Sequence, residues 1–372
     1  MKYYIIAGER SGDLHGGNLV KALRKSDLQA ELKGFGGDEM QRAGVALSVH
    51  YRELAFMGFI SLTTSLFKIF KFARFCKRDI LEFKPDAVIL IDYGGFNLQI
   101  AKFAKKKGII VFYYIPPKVW AWYQSRAWQL KANVDRMFVI LPFEKDFFNE
   151  YDFEVDYVGN PVVDAIKAFQ PNPDFAAKKG LEAARKSVAL LPGSRKMELK
   201  LIVPLMAQIA DANREVQFVV ARVSNLPNDL YFDLIGKDNV KFVEDETYDL
   251  LNHVDAAIVT SGTATLETAL FKVPQVVVYK TSRLEYAIAS TLVKVAFISL
   301  VNLIAGREII RELIQNKATQ KNLQNELLKL LNDQTYIAAV KSEYDKLYTV
   351  LDTGSASENT ARLIAEYLTR KR

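Results

Sequence analysis

The stretch YYIIAGERSGDLHGG, Tyr3 to Gly17, is an apolar run that ends in glycines and passes into a helical pattern. Strand, glycine turn and helix in this order build a doubly wound α/β layer, in which backbone N–H groups and a helix N-terminus hold an anion at the strand end. The spacing Gly8, Gly12, Gly16, Gly17 matches neither the dinucleotide fingerprint nor the P-loop, and no Gly-Lys-Ser/Thr stands in the turn. A tight turn against a close-packed helix is the alternative reading. Glu9, Arg10, Ser11, Asp13 and His15 crowd the loop and favour a polar site.

Similar apolar runs recur at AVILID, IIVFYYI, RMFVILP and VDYVG, with helical patterns such as Phe96–Lys107 between them. Such alternation predicts a parallel sheet with crossover helices. From Lys167 to Lys186 the chain turns polar and carries Pro171 and Pro173, a domain boundary. A second alternation follows at SVALLPG, VQFVVA, VKFV, AAIVT and QVVVYK. We therefore expect an N-terminal Rossmann-like domain over 1–166, a second over 187–350, and a C-terminal helix in 351–372 that packs back towards the first. The layout is similar to GT-B glycosyltransferases, with the two parallel sheets facing a central cleft.

At 372 residues and 50% hydrophobic content the chain can fill two α/β cores. One cysteine, Cys76, excludes an internal disulfide and a cysteine metal site, and three scattered histidines argue against a histidine cluster. No signal-peptide pattern precedes Tyr3, so a cytoplasmic location is expected. The net charge of +7 favours anionic partners. Tyr286–Gly306 is apolar enough to test as a membrane span, but Lys294 sits near its middle and polar residues interrupt it. Within it VAFISL reads as a buried strand.

Open α/β sheets bind ligands at the carboxyl ends of their strands. AVILID delivers Asp92 there, a candidate general base, with a turn-stabilising or N-capping acid as the alternative. SVALLPGSR places Ser194 and Arg195 after the first strand of the second half, where Arg suits a diphosphate and a surface ion pair is the plainer role. In AAIVTSGTATLE, Ser261, Gly262 and Thr263 open a helix and offer N–H groups to a phosphate, while Glu267 follows one turn on and suits ribose hydroxyls. Ordinary capping explains part of that pattern. All three tryptophans, Trp120, Trp122 and Trp128, fall in YYIPPKVWAWYQSRAW, a tract that fits either core packing or a sugar bearing apolar substituents.

GERSGD (8–13), ELAFMG (53–58), PPKVWAW (116–122), LPFE (141–144), LLPGSR (190–195), SGTATLE (261–267) and SLVNLIAGREIIRELIQ (299–315) together resemble the lipid-A-disaccharide synthase family. The resemblance implies an inverting GT-B glycosyltransferase of the cytoplasmic leaflet of a Gram-negative-type bacterium. It would join UDP-2,3-diacylglucosamine to 2,3-diacylglucosamine 1-phosphate and release UDP, with no metal and no cofactor. It makes Asp92 the base and Arg195, Ser194 and the Ser261–Glu267 segment the donor site, with Asn302, Gly306, Arg307 and Glu308 near that pocket. Glu9, Ser11, Gly12, Asp13, Trp120 and Trp122 fall on the acceptor side. The family's IDxPDFN reads Asp92-Tyr93-Gly94-Gly95-Phe96-Asn97 here, Lys118 replaces a common serine, and Asn160 stands where His is frequent.

Two rival readings share the layout: a UDP-GlcNAc 2-epimerase-like enzyme and a nucleotide-binding regulatory module. Nucleic-acid binding lacks any aromatic-basic motif of the known modules. In LFKIFKFARFCKRDILEF, Leu66–Phe83, one helix face carries Ile69, Phe72, Ala73, Cys76, Ile80 and Phe83, a core stripe. The opposite face mixes Phe67, Phe70 and Phe75 with Lys68, Lys71, Arg74, Lys77 and Arg78. That mixture predicts peripheral contact with an anionic inner-membrane surface; rings covered by neighbouring elements within a solvated basic face are the alternative.

Overall fold

The computed structural model describes residues 1–55, 62–224 and 226–371. The chain forms two compact units, Met1–Asp164 with Leu351–Arg372, and Ala165–Val350. In the first, seven parallel strands run β1 (Lys2–Ala7), β2 (Glu31–Gly36), β3 (Ala46–His50), β4 (Ala87–Ile91), β5 (Ile110–Tyr114), β6 (Arg136–Val139) and β7 (Asp156–Tyr157). Their order in the sheet is β3-β2-β1-β4-β5-β6-β7. In the second, β8 (Ser187–Leu191), β9 (Gln217–Arg222), β10 (Val240–Glu244), β11 (Ala256–Thr260), β12 (Gln275–Tyr279) and β13 (Glu312–Ile314) pair as β10-β9-β8-β11-β12-β13, again all parallel. Both sheets reverse their strand order once, between β1 and β4 and between β8 and β11.

Central strands of such a sheet are covered on both faces and read as unbroken apolar runs. Ala87–Ile91 and Ala256–Thr260 are buried at every position. β2 escapes that pattern because ELKGFG mixes charge and glycine. Its Gly34 has φ +153, and a Cβ there would lie 1.9 Å from the Ile5 carbonyl oxygen, so only glycine allows β2 to approach β1. The segment VAFISL is a correction: residues 293–299 form no strand, and Leu300–Ala305 is helical. Ser299 caps that helix, accepting from the Asn302 N–H, so the apolar run is cut by its own cap.

Helix Ala356–Lys371 packs on helix Arg10–Ser26, sharing with Leu19, Val20 and Leu23 a core that includes Ala356, Ile364 and Leu368. Burying Ile364 and Leu368 contributes about 1.5–3 kcal/mol each. The Asp164 carboxylate accepts from the Ala356 N–H at 2.9 Å and fixes where this helix begins. Among the described residues no helix is long and apolar enough to cross a membrane.

Helix Leu62–Phe83 lies on the first sheet through Ala73, Cys76 and Ile80. The side chains of Phe67 and Lys68, and the Phe56–Gly58 part of the ELAFMG motif, lie outside the described residues. Phe70 is 67% exposed, and Lys71, Arg74 and Arg78 are exposed beside it. Phe75 is a correction to the membrane-facing set: its ring stacks on Phe35 at 6.2 Å, with the Arg78 guanidinium over it at 5.6 Å. The helix is pinned by Asp79, 5% exposed, which accepts from Tyr4 Oη at 2.6 Å, Lys33 Nζ at 2.5 Å and Ser48 Oγ at 2.5 Å. One carboxylate thus joins the helix to β1, β2 and β3. Burial raises the Asp79 pKa, but the three donors outweigh it and hold the carboxyl below its usual range. We predict that Asp79→Ala lowers the unfolding free energy by about 2–4 kcal/mol, because it strands a half-buried ammonium and two hydroxyls. Urea unfolding of the two proteins measures this, and a change under about 0.5 kcal/mol, the ordinary surface range, would show the cluster to be incidental.

Candidate functional site

The strand-order reversals place four loops. In the first unit the turns after β1 and β4 adjoin, and Gly8 is the point of contact: a Cβ there would lie 2.3 Å from ring atoms of Tyr93. Asp92 and Tyr93 are both left-handed, at φ 48 and 52. Each such non-glycine residue costs about 1–2 kcal/mol, so the turn is held by its surroundings. Asp92 is half-buried, and burial pushes its carboxyl above the usual range against the pull of the Tyr93 N–H and the Lys118 ammonium. That is the direction a general base needs. The carboxylate of Glu9, in the neighbouring turn, adds to the effect of burial in raising the Tyr93 phenol. Glu9, Ser11, Asp92 and Lys118 therefore belong to one strand-end edge.

Three acceptor-side expectations require correction or refinement. Asp13 is 3% exposed and accepts from the N–H groups of Gly37, Glu39 and Met40 at 2.7, 3.1 and 3.0 Å. It caps the neighbouring helix Asp38–Arg42 instead of facing a ligand. Gly12 is buried against Ala7, where a Cβ would come within 3.3 Å of the Ala7 Cβ, and serves packing. Trp120 is 5% exposed; its Nε1 donates to Glu144 at 3.0 Å and its ring meets Phe143 edge-on. Trp122 is exposed, as are Tyr123 and Trp128 of the same tract.

In the second unit the turns after β8 and β11 adjoin. Gly193, at φ +101, bends the chain so that Arg195 becomes the N-cap of helix Lys196–Ala212; a Cβ at Gly193 would lie 2.5 Å from Glu198 Oε2. Arg195 is 81% exposed in its side chain and pairs with Glu198 at 2.9 Å. Ser194 is exposed before it. Gly262 is the N-cap of helix Thr263–Leu270, and a Cβ added there meets nothing within 4 Å. Neither helix has a side-chain cap. Two helix N-termini without a side-chain cap, and a guanidinium, follow adjacent strands, an arrangement of the kind a diphosphate fits. Ser261 does not cap; its hydroxyl donates to the Ile298 carbonyl at 2.9 Å. Glu267 accepts from Tyr248 Oη at 3.0 Å, and burial raises its pKa against that bond.

In the segment after β12, Asn302 is a correction to the donor-side set. Asn302 is fully buried: its Nδ2 donates to Ile310 O and Glu312 Oε1 at 2.8 and 2.9 Å, and its Oδ1 accepts from Ile309 and Ile310. No bonding capacity remains for a ligand. Gly306 is a left-handed C-cap at φ 68. Arg307 pairs with Glu343 and Glu308 with Arg311, all on the surface of the same unit.

Asn97, Tyr113 and Glu144 also bond at the strand-end edge of the first unit, although the sequence assigns none of them a role. Asn97 and Tyr113 hold the Asp92 carbonyl at 2.8 and 2.7 Å. Glu144, within the LPFE motif, is 2% exposed and accepts from Trp120 and from the Ile140 and Leu141 N–H groups at 3.2 and 2.9 Å. Burial pushes it up to about 7 against those donors.

Two doubly wound parallel-sheet units give the chain the α/β fold of GT-B enzymes. Comparison with solved structures supports the fold. UDP-GlcNAc 2-epimerase from Neisseria meningitidis, bound to UDP-GlcNAc, superposes with a TM-score of 0.66 at 14% identity, covering 100% of both chains. The glycosyltransferase of kitacinnamycin gives 0.67 at 13% identity over 99% of each chain. The lipid-A-disaccharide synthetase family matches residues 3–366. Relatives named lipid-A-disaccharide synthase include that of Syntrophus aciditrophicus, 39% identical over 96% of this chain and 95% of its own, and that of Geobacter metallireducens, 35% identical over 99% and 97%. The chain belongs to the lipid-A-disaccharide synthase family, glycosyltransferases of lipid A biosynthesis.

Replacing Glu144 with alanine leaves the Trp120 indole and two backbone N–H groups buried without an acceptor. Each orphaned donor costs about 1–3 kcal/mol, so Glu144→Ala should destabilise by at least about 2 kcal/mol even after partial relaxation. Tryptophan fluorescence during urea unfolding reads both the loss and the altered Trp120 environment; an unshifted midpoint would contradict the assignment.

Proposed function

We propose that the chain transfers a 2,3-diacylglucosaminyl group from UDP to the 6-hydroxyl of 2,3-diacylglucosamine 1-phosphate, inverting the anomeric carbon and releasing UDP. The observation that carries the reading is Asp92, a strained acid with a raised pKa at the strand-order reversal of the first sheet. A sugar hydroxyl is a poor nucleophile near neutral pH; Asp92 takes its proton as the oxygen attacks, and the glycosidic bond to the diphosphate breaks. Arg195 and the N–H groups of the helices beginning at Lys196 and Thr263 stabilise the charge that develops on leaving UDP. These groups supply that stabilisation without a metal or cofactor. Glu267 suits the ribose hydroxyls. Glu9, Ser11 and Trp122 stand where the acceptor sugar would enter, and Lys118 offers an ammonium to its 1-phosphate.

We place the enzyme at the cytoplasmic face of the inner membrane, held there by the exposed side of helix Leu62–Phe83 around Phe70. Phe70 can enter the acyl boundary while Lys71, Arg74 and Arg78 meet anionic headgroups, each contributing about 1 kcal/mol. A diacylated substrate resides in the bilayer, so the catalyst must come to it.

Mass spectrometry of the product from a UDP-diacylglucosamine donor and a monosaccharide 1-phosphate acceptor tests the reaction. Conversion of UDP-GlcNAc to its 2-epimer without acceptor would overturn it. Asp92→Asn should cut turnover by roughly 10²–10⁴-fold and spare UDP binding. Arg195→Ala should weaken UDP binding by about 10–100-fold, as expected for a lost charge-assisted bond. Calorimetry separates these two outcomes, and unchanged UDP affinity removes Arg195 from the site. Flotation with anionic vesicles tests the anchor: Phe67→Ser/Phe70→Ser/Lys71→Glu/Arg74→Glu should stay unbound while keeping UDP affinity, and undiminished flotation would exclude this helix.

A further inference from the structure

We infer that Tyr113 and Asn97 are positioning residues that hold Asp92 in its left-handed conformation and so aim its carboxylate; the inference rests on Asp92 being the general base. Both side chains are fully buried, and both end on one atom. Tyr113 Oη, from the penultimate residue of β5, donates to the Asp92 carbonyl at 2.7 Å, and Asn97 Nδ2, from helix Gly94–Lys106, donates to it at 2.8 Å. Asn97 Nδ2 also reaches the Ile91 carbonyl at 3.2 Å. On the other side of the residue the Asp92 N–H is shared between the carbonyls of Tyr114 and Ile115, at 3.3 and 3.2 Å.

The peptide planes before and after the Asp92 Cα are therefore both tied. With φ and ψ held, the carboxylate keeps only its own side-chain torsions. Glycine is the usual residue for a left-handed turn, and Gly94 and Gly95 follow immediately, yet Asp and Tyr occupy the two left-handed positions. Ile115, itself at φ 57, is a β-branched residue in the same region, and its carbonyl is one of the acceptors. The unusual backbone thus gathers around one side chain. A buried tyrosine at a strand end that only filled space would have no use for its hydroxyl, and phenylalanine would serve.

The experiment is a double-mutant cycle on the full-length enzyme with the UDP-diacylglucosamine donor, in wild-type and Asp92→Asn backgrounds. Tyr113→Phe keeps the ring volume and removes one donor. In the wild-type background kcat should fall by about 10–100-fold, the scale of a misplaced reacting group, with KM for the donor within about 2-fold. In the Asp92→Asn background the same change should alter the residual rate by less than about 2-fold, because the clamp then has no base to aim. Asn97→Ala should reproduce the pattern; if it does not fold, shown by circular dichroism, Tyr113→Phe alone decides. Equal losses in both backgrounds, or wild-type kcat in Tyr113→Phe, would overturn the clamp and leave Asp92 as the base. Near-normal turnover in Asp92→Asn alone is a different result, which removes the base and the clamp together.

Discussion

A parallel sheet covered on both faces has no solvent-facing surface on which to mount chemistry, so its polar side chains collect beyond the carboxyl ends of the strands. Where the strand order reverses, the two following helices lie on opposite faces and the loops part. Both units use the same reversal, β1 against β4 and β8 against β11. The strand-end acid and the second unit's helix N-termini both hang on it. The first reversal carries Asp92 and Tyr93, and the second carries Arg195 and the Ser261–Thr263 turn.

The two reversals are equipped in opposite ways. The second presents two helix N-termini without a side-chain cap, an exposed guanidinium and open space at Gly262. The first, on the proposed reading, must hold a base in one place. There the structure uses buried side-chain donors, and it tolerates left-handed backbone at non-glycine residues. The proposed roles put binding on adaptable charge and proton transfer on a fixed backbone, which is the division expected when orientation, more than attraction, limits the step.

Much of this was legible in the sequence. Continuous apolar strands, glycine turns and strand-end Asp92 and Arg195 follow from periodicity and placement, which are local properties. β2, β3 and β13 were missed because edge or near-edge strands need not be apolar, and ELKGFG reads as a loop until β1 is beside it. Asp13, Trp120 and Asn302 look like ligand groups in a motif, but each is satisfied by partners distant in sequence or across a turn. Residue type announces the capacity to bond. Only the fold decides whether that capacity is spent inside.

Helix Leu62–Phe83 shows the same rule on the surface. Its sequence alone gives one mixed aromatic and basic face, and packing divides it: Phe75 is drawn against Phe35, while Phe70 remains out with Lys71 and Arg74. Asp79, on the inner side, locks the C-terminal half of the helix to three strands. A helix meant only to complete a core would not require a buried carboxylate with three donors, since apolar residues of similar volume serve at least as well. What the cluster adds is register. It fixes the rotation of the helix, and with it which residues face outward, so that Phe70 stays exposed instead of rolling back onto the sheet.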